Sequence, residues 1–241
     1  LGREKWRSAK RITMTNSGPA VADGAVYFTD FSLYALDGET GALRWTFEGV
    51  GFAQNPSAAD DAVYVRALNG ALYAVDAATG QERWHFDAIS HIYPPATEDG
   101  GVVYVSNDGE DDSSGVVHAL DAATGKERWR AATPSAPTTP PTVANGLVYL
   151  GALNGDVYAL DAKTGQARWS FATEKYNLNA PIVAAGGMVY VSVFGGTLIA
   201  LDAVTGAEQW RFTSESRTGW PAAVADGVVY FSSDQLHALD A

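Results

Sequence analysis

The chain has 241 residues, of which 46% are hydrophobic and 18% charged, and its net charge is −12. A surface this acidic repels phosphate backbones and anionic lipid, so we expect neither a nucleic-acid partner nor insertion into a membrane. The sequence contains no cysteine, which excludes disulfides, thiolate metal sites and a cysteine nucleophile.

No apolar run approaches the roughly 18 residues that a membrane-spanning helix requires. The segment from Leu1 to Trp6 does not have the pattern of a signal peptide, because no apolar stretch follows it. We therefore expect this start to be the edge of a domain, with any targeting segment lying before it.

A motif of the form A-x-D-x-x-T-G-x-x-x-W recurs along the whole chain. The five complete copies read ALDGETGALRW, AVDAATGQERW, ALDAATGKERW, ALDAKTGQARW and ALDAVTGAEQW. A sixth copy is divided between the termini, with His237–Ala241 at the end of the chain and Leu1–Trp6 at its start. A period of about 40 residues is typical of repeat architectures such as β-propellers.

Each repeat predicts four short strands, named A to D in chain order. Strand A follows a proline, strand B contains a Val-Tyr pair, strand C begins the motif and strand D carries its tryptophan. Such β-branched and aromatic runs, bounded by turn residues, are typical of strands. The sequence therefore predicts an all-β, six-bladed β-propeller of four-stranded antiparallel blades, a single domain over residues 1–241. We expect the N-terminal strand to complete the last blade and close the ring, which leaves no sheet edge open.

The motif resembles the tryptophan docking motif of the PQQ-like propellers, the superfamily of quinoprotein alcohol dehydrogenases and their non-catalytic relatives. The resemblance covers essentially the whole chain, and it implies that each motif tryptophan docks its blade on the neighbouring blade. Residues that recur in every repeat cannot mark one special site, so we interpret them as structural. The docking residues are Trp6, Trp45, Trp84, Trp129, Trp169 and Trp210.

The connections between strands belong to two faces of a propeller. The A–B and C–D turns share one face and are nearly uniform, whereas the B–C loops and D-to-A links share the other face and vary strongly. A variable surface on a repeating scaffold is free to specialise, so we expect function there. Aromatic, cationic and amide side chains on that face predict a pocket for a small anionic ligand, with a plain polar channel rim as the alternative. The candidate residues are Asn16, Asn55, Arg66, His91, Tyr93, Asn177, Asn179, Arg217 and Trp220.

The B–C loop of the third repeat, residues 107–115, is longer and more acidic than the corresponding hairpins. Carboxylate oxygens coordinate Ca²⁺, which makes Asp108, Asp111 and Asp112 candidate metal ligands. Their spacing departs from that of an EF-hand loop, so we favour the interpretation of a solvated acidic loop.

The catalytic quinoproteins that this chain resembles hold PQQ against a vicinal disulfide and use a carboxylate base beside a bound Ca²⁺. Here the disulfide is impossible. Six four-residue segments lead directly into the A strands and are expected to ring the mouth of the central channel, and none contains Asp or Glu: residues 15–18, 52–55, 91–94, 137–140, 177–180 and 217–220. A general base for proton abstraction is therefore missing from these segments. We expect no enzyme activity and no firm cofactor, so that PQQ and Ca²⁺ remain only as alternatives.

The resemblance leaves non-catalytic functions open. The interpretation we favour is a binding module, either ligand-sensing or protein-interacting, in a bacterial extracytoplasmic or receptor protein. The alternatives are a scaffold of the outer-membrane-assembly type, a PQQ-dependent dehydrogenase and an engineered six-repeat propeller. We expect a monomer whose partner is a protein or a small anionic ligand.

Overall fold

The computed structural model describes residues 2–8, 18–48, 54–67, 69–88, 92–109, 113–174, 178, 180–214 and 221–241. These residues form 23 β-strands. Blades 1 to 3 comprise β1 (Ala20–Ala22), β2 (Ala25–Thr29), β3 (Leu33–Asp37), β4 (Leu43–Phe47), β5 (Gln54–Ala59), β6 (Ala62–Arg66), β7 (Leu72–Asp76), β8 (Glu82–Phe86), β9 (Ile92–Asp99), β10 (Val102–Asp108), β11 (Gly115–Asp121) and β12 (Glu127–Thr133). Blades 4 to 6 comprise β13 (Thr142–Ala144), β14 (Leu147–Gly151), β15 (Asp156–Asp161), β16 (Ala167–Ala172), β17 (Val183–Ala185), β18 (Met188–Val193), β19 (Thr197–Asp202), β20 (Glu208–Thr213), β21 (Ala223–Ala225), β22 (Val228–Ser232) and β23 (Leu236–Asp240).

The strands form six sheets, one for each blade. Blades 1 to 5 contain four strands each, and blade 6 contains three strands within the described residues. In every sheet the strands are neighbours in chain order, and they pair antiparallel, as in β13–β14–β15–β16. The predicted all-β propeller of six blades is therefore confirmed, with the A-to-D meander complete in blades 1 to 5.

The hydrophobic core lies between neighbouring blades. Strand B is the most buried element, and all five residues of β14 are buried. One core cluster joins Tyr149 and Val157 of blade 4 to Val191 and Ile199 of blade 5. A sheet that is apolar on both faces has to be covered on both sides, which stacking of successive repeats achieves.

The Asp, Thr and Gly of each motif build the C–D turn. In blade 1, Asp37 Oδ1 accepts hydrogen bonds from the backbone N–H of Thr40 at 2.9 Å and from its hydroxyl at 2.8 Å. Gly41 adopts a φ of 73°, in the left-handed region that glycine occupies without the penalty of a Cβ atom. The same turn recurs at Asp76, Asp121, Asp161 and Asp202.

Five of the six docking tryptophans donate the indole N–H to a backbone carbonyl in the C–D turn of a neighbouring repeat. The five Nε1-to-oxygen distances lie between 2.8 and 3.1 Å. The buried indole group thereby obtains the acceptor that it requires. The pairs are Trp6 with Gly38, Trp45 with Ala77, Trp84 with Ala122, Trp129 with Ala162 and Trp169 with Ala203.

The strand B tyrosine supplements this contact in blade 4 but not in blade 5. Tyr149 is buried, its ring lies 5.8 Å from that of Trp169, and its hydroxyl donates to the Ala203 carbonyl at 3.1 Å. Tyr190 is equally buried and lies 5.9 Å from Trp210. Its hydroxyl has no hydrogen-bond partner among the described residues.

This difference predicts opposite responses to the same substitution. Tyr149→Phe removes a buried hydrogen bond and is expected to lower the free energy of unfolding by about 1 kcal/mol. Tyr190→Phe removes an unsatisfied buried hydroxyl and is expected to be neutral or slightly stabilising. Urea denaturation of both variants measures the two effects, and an equal loss at both positions would contradict the assigned hydrogen bond.

The contacts divide the chain into two compact units, residues Leu1–Val105 with Leu120–Arg128 and residues Ser106–Ala119 with Trp129–Ala241. The single domain over 1–241 stays a prediction. Residues 2–8 have no regular strand, so ring closure by an N-terminal strand in blade 6 also stays a prediction. Tyr230 of blade 6 is 39% exposed, whereas its equivalents in blades 1 to 5 are buried.

Within the described residues, no helix has the length and hydropathy needed to cross a bilayer.

Candidate functional site

Hydrogen bonds define one face of each blade, on which the A–B and C–D turns lie side by side. In blade 1 the Gly38 N–H donates to the Gly24 carbonyl at 2.8 Å, and in blade 5 the Ala203 N–H donates to Gly187 at 2.9 Å. Each docked tryptophan reaches the C–D turn of the next blade, so the blades within a unit have the same orientation. We call this side the turn face, and the opposite side, with the B–C hairpins and D-to-A links, the hairpin face.

Two predicted ligand-binding residues lie at the hairpin-face end of blade 2. Arg66 ends β6, is half-buried and pairs in register with Gln54 of β5. Asn55 follows Gln54 with a φ of 42°, where the register of β5 shifts. Tyr93 lies in β9. The pocket itself stays a prediction, because its other residues lie outside the described part of the chain: Asn16, His91, Asn177, Asn179, Arg217 and Trp220.

The segment Pro137–Pro140 is the one link on the predicted rim that the structure describes completely. Thr139 is fully buried, and its Oγ1 accepts a hydrogen bond from the Gly151 N–H at 2.9 Å. The Thr138 N–H donates to the Gly151 carbonyl at 2.8 Å, and its hydroxyl donates to the Leu178 carbonyl. This link is therefore packed against strand B of its own blade, and its threonines are engaged in structural hydrogen bonds.

The base of the acidic loop in blade 3 is held by buried polar side chains. Asn107 Oδ1 lies 2.7 Å from His118 Nε2, and Asn107 Nδ2 donates to the Asp108 carbonyl at 2.8 Å. Asp108 ends β10, while Asp111 and Asp112 lie outside the described residues. No three His, Asp or Glu side chains come together as a metal site in the described ranges, and the metal site at this loop stays a prediction.

Exposed apolar residues on the B–C hairpins are a feature that the sequence reasoning missed. Phe31 of blade 1 is exposed, and so are three residues of the second unit: Leu153 at 47%, Phe194 at 70% and Leu236 at 73%. Leu153 and Phe194 occupy the hairpins of blades 4 and 5, and Leu236 opens β23 directly after the hairpin of blade 6. Comparison of the B–C loops alone could have revealed them, since each interrupts a polar or Gly-containing turn.

A second missed feature is the arginine that precedes the tryptophan in four of the five complete motifs. Arg168 is skipped in the pairing of β15 with β16, since Ala159 pairs with Trp169 and Leu160 with Ala167. Such a bulge re-aims a side chain. Here Arg168 Nη2 lies 2.6 Å from Asp161 Oδ2, and Arg44, Arg83 and Arg128 contact their motif aspartates in the same way.

These contacts stabilise the ionised aspartates of the turn face. The guanidinium of Arg168 and the Thr164 hydroxyl lower the pKa of Asp161 to about 2. Blade 5 carries Gln209 in place of the arginine, and the pKa of Asp202 is lowered by hydrogen bonds from Thr205. The sequence shows the arginine as a recurring Arg-Trp dipeptide. That the arginine contacts the motif aspartate could be seen only in the folded structure.

The family model described as outer membrane protein assembly factor BamB, of PQQ-type repeats, matches residues 1–97, 69–192 and 153–241. The chain belongs to this family. A search of the curated proteins finds no match to the sequence.

Solved structures of BamB-type and quinoprotein propellers are similar to this chain. BamB from Moraxella catarrhalis is 20% identical over 98% of this chain and 76% of its own, with a TM-score of 0.71. The quinohemoprotein alcohol dehydrogenase ADHIIG from Pseudomonas putida HK5 is 19% identical over 97% of this chain, with a TM-score of 0.76. This chain spans 53% of that enzyme. A europium-containing methanol dehydrogenase is 15% identical, over 94% of this chain and 67% of its own, at a TM-score of 0.67. At sequence identities of 15 to 20%, the similarity to these structures shows that the fold is shared.

The donor set of this BamB-type propeller does not fit PQQ with Ca²⁺. The family resemblance associates that cofactor with a vicinal disulfide and a carboxylate base, but the chain has no cysteine and no Asp or Glu in the six segments that lead into the A strands. In the one such segment that is fully described, the Thr138 and Thr139 hydroxyls already bond to protein groups.

Proposed function

We propose that this protein is a non-catalytic binding module that docks a partner protein on its hairpin face. The observation that carries this proposal is the set of exposed apolar side chains on successive hairpins of the second unit, Leu153, Phe194 and Leu236. Single exposed apolar residues are ordinary, but apolar residues repeated along one face are typical of interaction surfaces. The description of the family as an outer-membrane assembly factor supports a scaffold in the same sense.

The backbone around these residues favours docking over packing within the chain. Phe194 precedes Gly195 and Gly196, with φ values of 108° and 79°, and it is the large side chain of that hairpin. A rigid blade that presents one aromatic residue on a tight turn loses little conformational entropy on binding. Aromatic side chains also dominate the binding energy of many protein interfaces.

The charge of the same face selects the chemistry of the partner. Glu174 and Asp234 lie in a link and a hairpin of the second unit, and Asp156 opens β15 directly after the hairpin of blade 4. The chain as a whole carries −12. An acidic rim around apolar anchors accelerates association with a basic surface and repels an acidic one. The expected partner therefore offers apolar and basic side chains, and we propose an extracytoplasmic location in keeping with the family.

The test uses a fluorescein-labelled peptide of alternating Leu and Lys, with a Leu-Glu peptide as its charge-reversed counterpart. Fluorescence anisotropy is expected to show saturable binding of the Leu-Lys peptide. Phe194→Ser should weaken it about tenfold, which corresponds to about 1.4 kcal/mol. Val204→Ser is the matched control, because Val204 is 70% exposed but lies in a C–D turn of the turn face.

Equal binding of both peptides, or an unchanged affinity in Phe194→Ser, would refute docking on this face.

The non-catalytic character has its own test. With PQQ, Ca²⁺ or Eu³⁺ and a panel of alcohols, dye reduction is expected to stay at the level of the protein-free control. Turnover by the protein would overturn this part of the proposal and favour a dehydrogenase.

A further inference from the structure

A cavity of about 400 Å³ opens on the turn face at the contact of blades 4 and 5. Leu147 of β14 and Val204 of the next C–D turn supply its apolar wall, while Lys163 and Arg168 supply two cationic groups. Its volume lies in the range of sites for small molecules. The cavity is formed entirely within the second unit.

Both cations retain hydrogen-bond donors. Arg44 and Arg128 bond to their motif aspartates and also to the carbonyls of Gly24 and Gly101, each at 2.9 Å. Arg168 bonds to Asp161 alone among the described residues, and its side chain is 57% exposed. A guanidinium has five N–H donors, so most of those of Arg168 face the cavity or solvent.

Among the five complete motifs, only that of blade 4 has a lysine at the position of Lys163. The position of Lys163 is occupied by Glu39, Ala78, Ala123 and Val204 in the other complete motifs. Asn145, at the rim of the cavity, replaces an aspartate that occurs in the A–B turns of blades 1, 2 and 6. Lys163 forms no ion pair within the described part of the chain. One carboxylate, that of Asp161, therefore faces two cations in a protein that is strongly acidic overall.

We propose that this cavity binds the carboxylate of a small organic acid with an apolar body. The carboxylate accepts hydrogen bonds from Lys163 Nζ and from the free donors of Arg168, and the body lies on Leu147 and Val204. Charge-assisted bonds of this kind are stronger than neutral ones, and the apolar wall adds the burial of hydrocarbon. The cavity has room for about ten non-hydrogen atoms, judged by the volume that water occupies.

Such a carboxylate has two sources, a free metabolite-sized acid or the C-terminus of a peptide. The first arm of the test titrates ¹⁵N-labelled protein with 4-methylpentanoate and with its amide. The second arm uses N-acetyl-Ala-Leu with a free carboxylate and the same dipeptide as an amide. Shifts at Asn145, Gly146 and Val204 are expected with the acids and absent with the amides. Tighter binding of the dipeptide than of the free acid assigns the site to a chain terminus, and the reverse order assigns it to a small acid.

Lys163→Ala is expected to weaken binding about tenfold, and it should leave the melting temperature unchanged because Lys163 is exposed. Lys126→Ala is the matched control, an exposed lysine in the C–D turn of blade 3. No saturable binding of either acid, equal binding of the amides, or equal loss in Lys126→Ala would overturn the proposal. Binding of the Leu-Lys peptide is expected to persist in Lys163→Ala, so failure here is distinguishable from failure of docking on the hairpin face.

Discussion

Gly206→Ala is expected to lower the free energy of unfolding by about 2 to 5 kcal/mol. Gly206 has a φ of 72°, and a Cβ atom there would lie 2.5 Å from Cδ2 of Trp169. The backbone conformation alone costs a non-glycine residue about 1 to 2 kcal/mol, and forcing a methyl group against a packed ring adds about 1 to 3 kcal/mol. Urea denaturation monitored by tryptophan fluorescence measures the sum.

Gly227→Ala separates the two contributions. Gly227 has nearly the same φ, 75°, but no atom lies within 4 Å of the added Cβ, so only the backbone cost of about 1 to 2 kcal/mol is expected. In the background of Trp169→Ala, the excess cost of Gly206→Ala should disappear, since the clashing ring is absent. An equal loss for Gly206→Ala and Gly227→Ala would mean that the turn glycine is needed for φ alone.

Deletion of residues 1–7 is expected to lower the free energy of unfolding by about 3 kcal/mol, the lower end of the cost of removing a packed tryptophan. Trp6 donates to the Gly38 carbonyl at 2.9 Å and packs against a cluster that contains Phe28, Tyr34 and Leu36. For a chain of this length the melting temperature should fall by about 6 to 12 °C. Arg7→Ala is the control: it removes an exposed ion pair with Glu4 and is expected to have almost no effect.

A crosslinking experiment tests more directly than a stability measurement whether the N-terminal segment is the fourth strand of blade 6. Leu33 pairs with Phe47, Leu72 with Phe86 and Leu198 with Phe212. The same register in a closed ring places Leu236 opposite Ser8. Cross-strand partners have the separation that a disulfide requires, and the chain has no cysteine of its own. Oxidation of the Ser8→Cys, Leu236→Cys double variant should therefore give an internal crosslink.

Mass spectrometry after proteolysis would detect that crosslink. The pair Ser8→Cys and Leu153→Cys serves as the control, because the predicted register does not place residue 153 opposite residue 8. Efficient crosslinking of the control, or none in the test pair, would contradict closure by an N-terminal strand.

The two proposed sites lie on opposite faces of the blades. The hairpin face carries the apolar anchors Phe194 and Leu236, while the cavity of Lys163 and Arg168 belongs to the turn face. A sequence comparison of the repeats favours the hairpin face as the variable one. The turn face nevertheless diverges at a few positions, and its near uniformity makes the substitutions at Asn145 and Lys163 more noticeable.

The sequence by itself determined the repeat, the order of the strands within a blade and the C–D turn. These features depend on local rules: a Val-Tyr run forms a strand, Asp37 caps the turn that Thr40 and Gly41 form, and a large indole needs a buried place. Because each rule acts within a few residues and recurs along the chain, periodicity alone carried the prediction to the level of the fold.

Only the tertiary structure decided which atoms share a site. Three features join residues from separate strands or blades. They are the close approach of Gly206 to the ring of Trp169, the bond of Arg168 to Asp161 and the cavity beside Val204. The hydrogen bonds of Thr138 to Leu178 and of Thr139 to Gly151 are of the same kind, since the sequence predicted only that this segment lies at the rim of the channel. Side-chain exposure and contacts between blades depend on the geometry with which the sheets stack, and a linear motif does not contain that geometry.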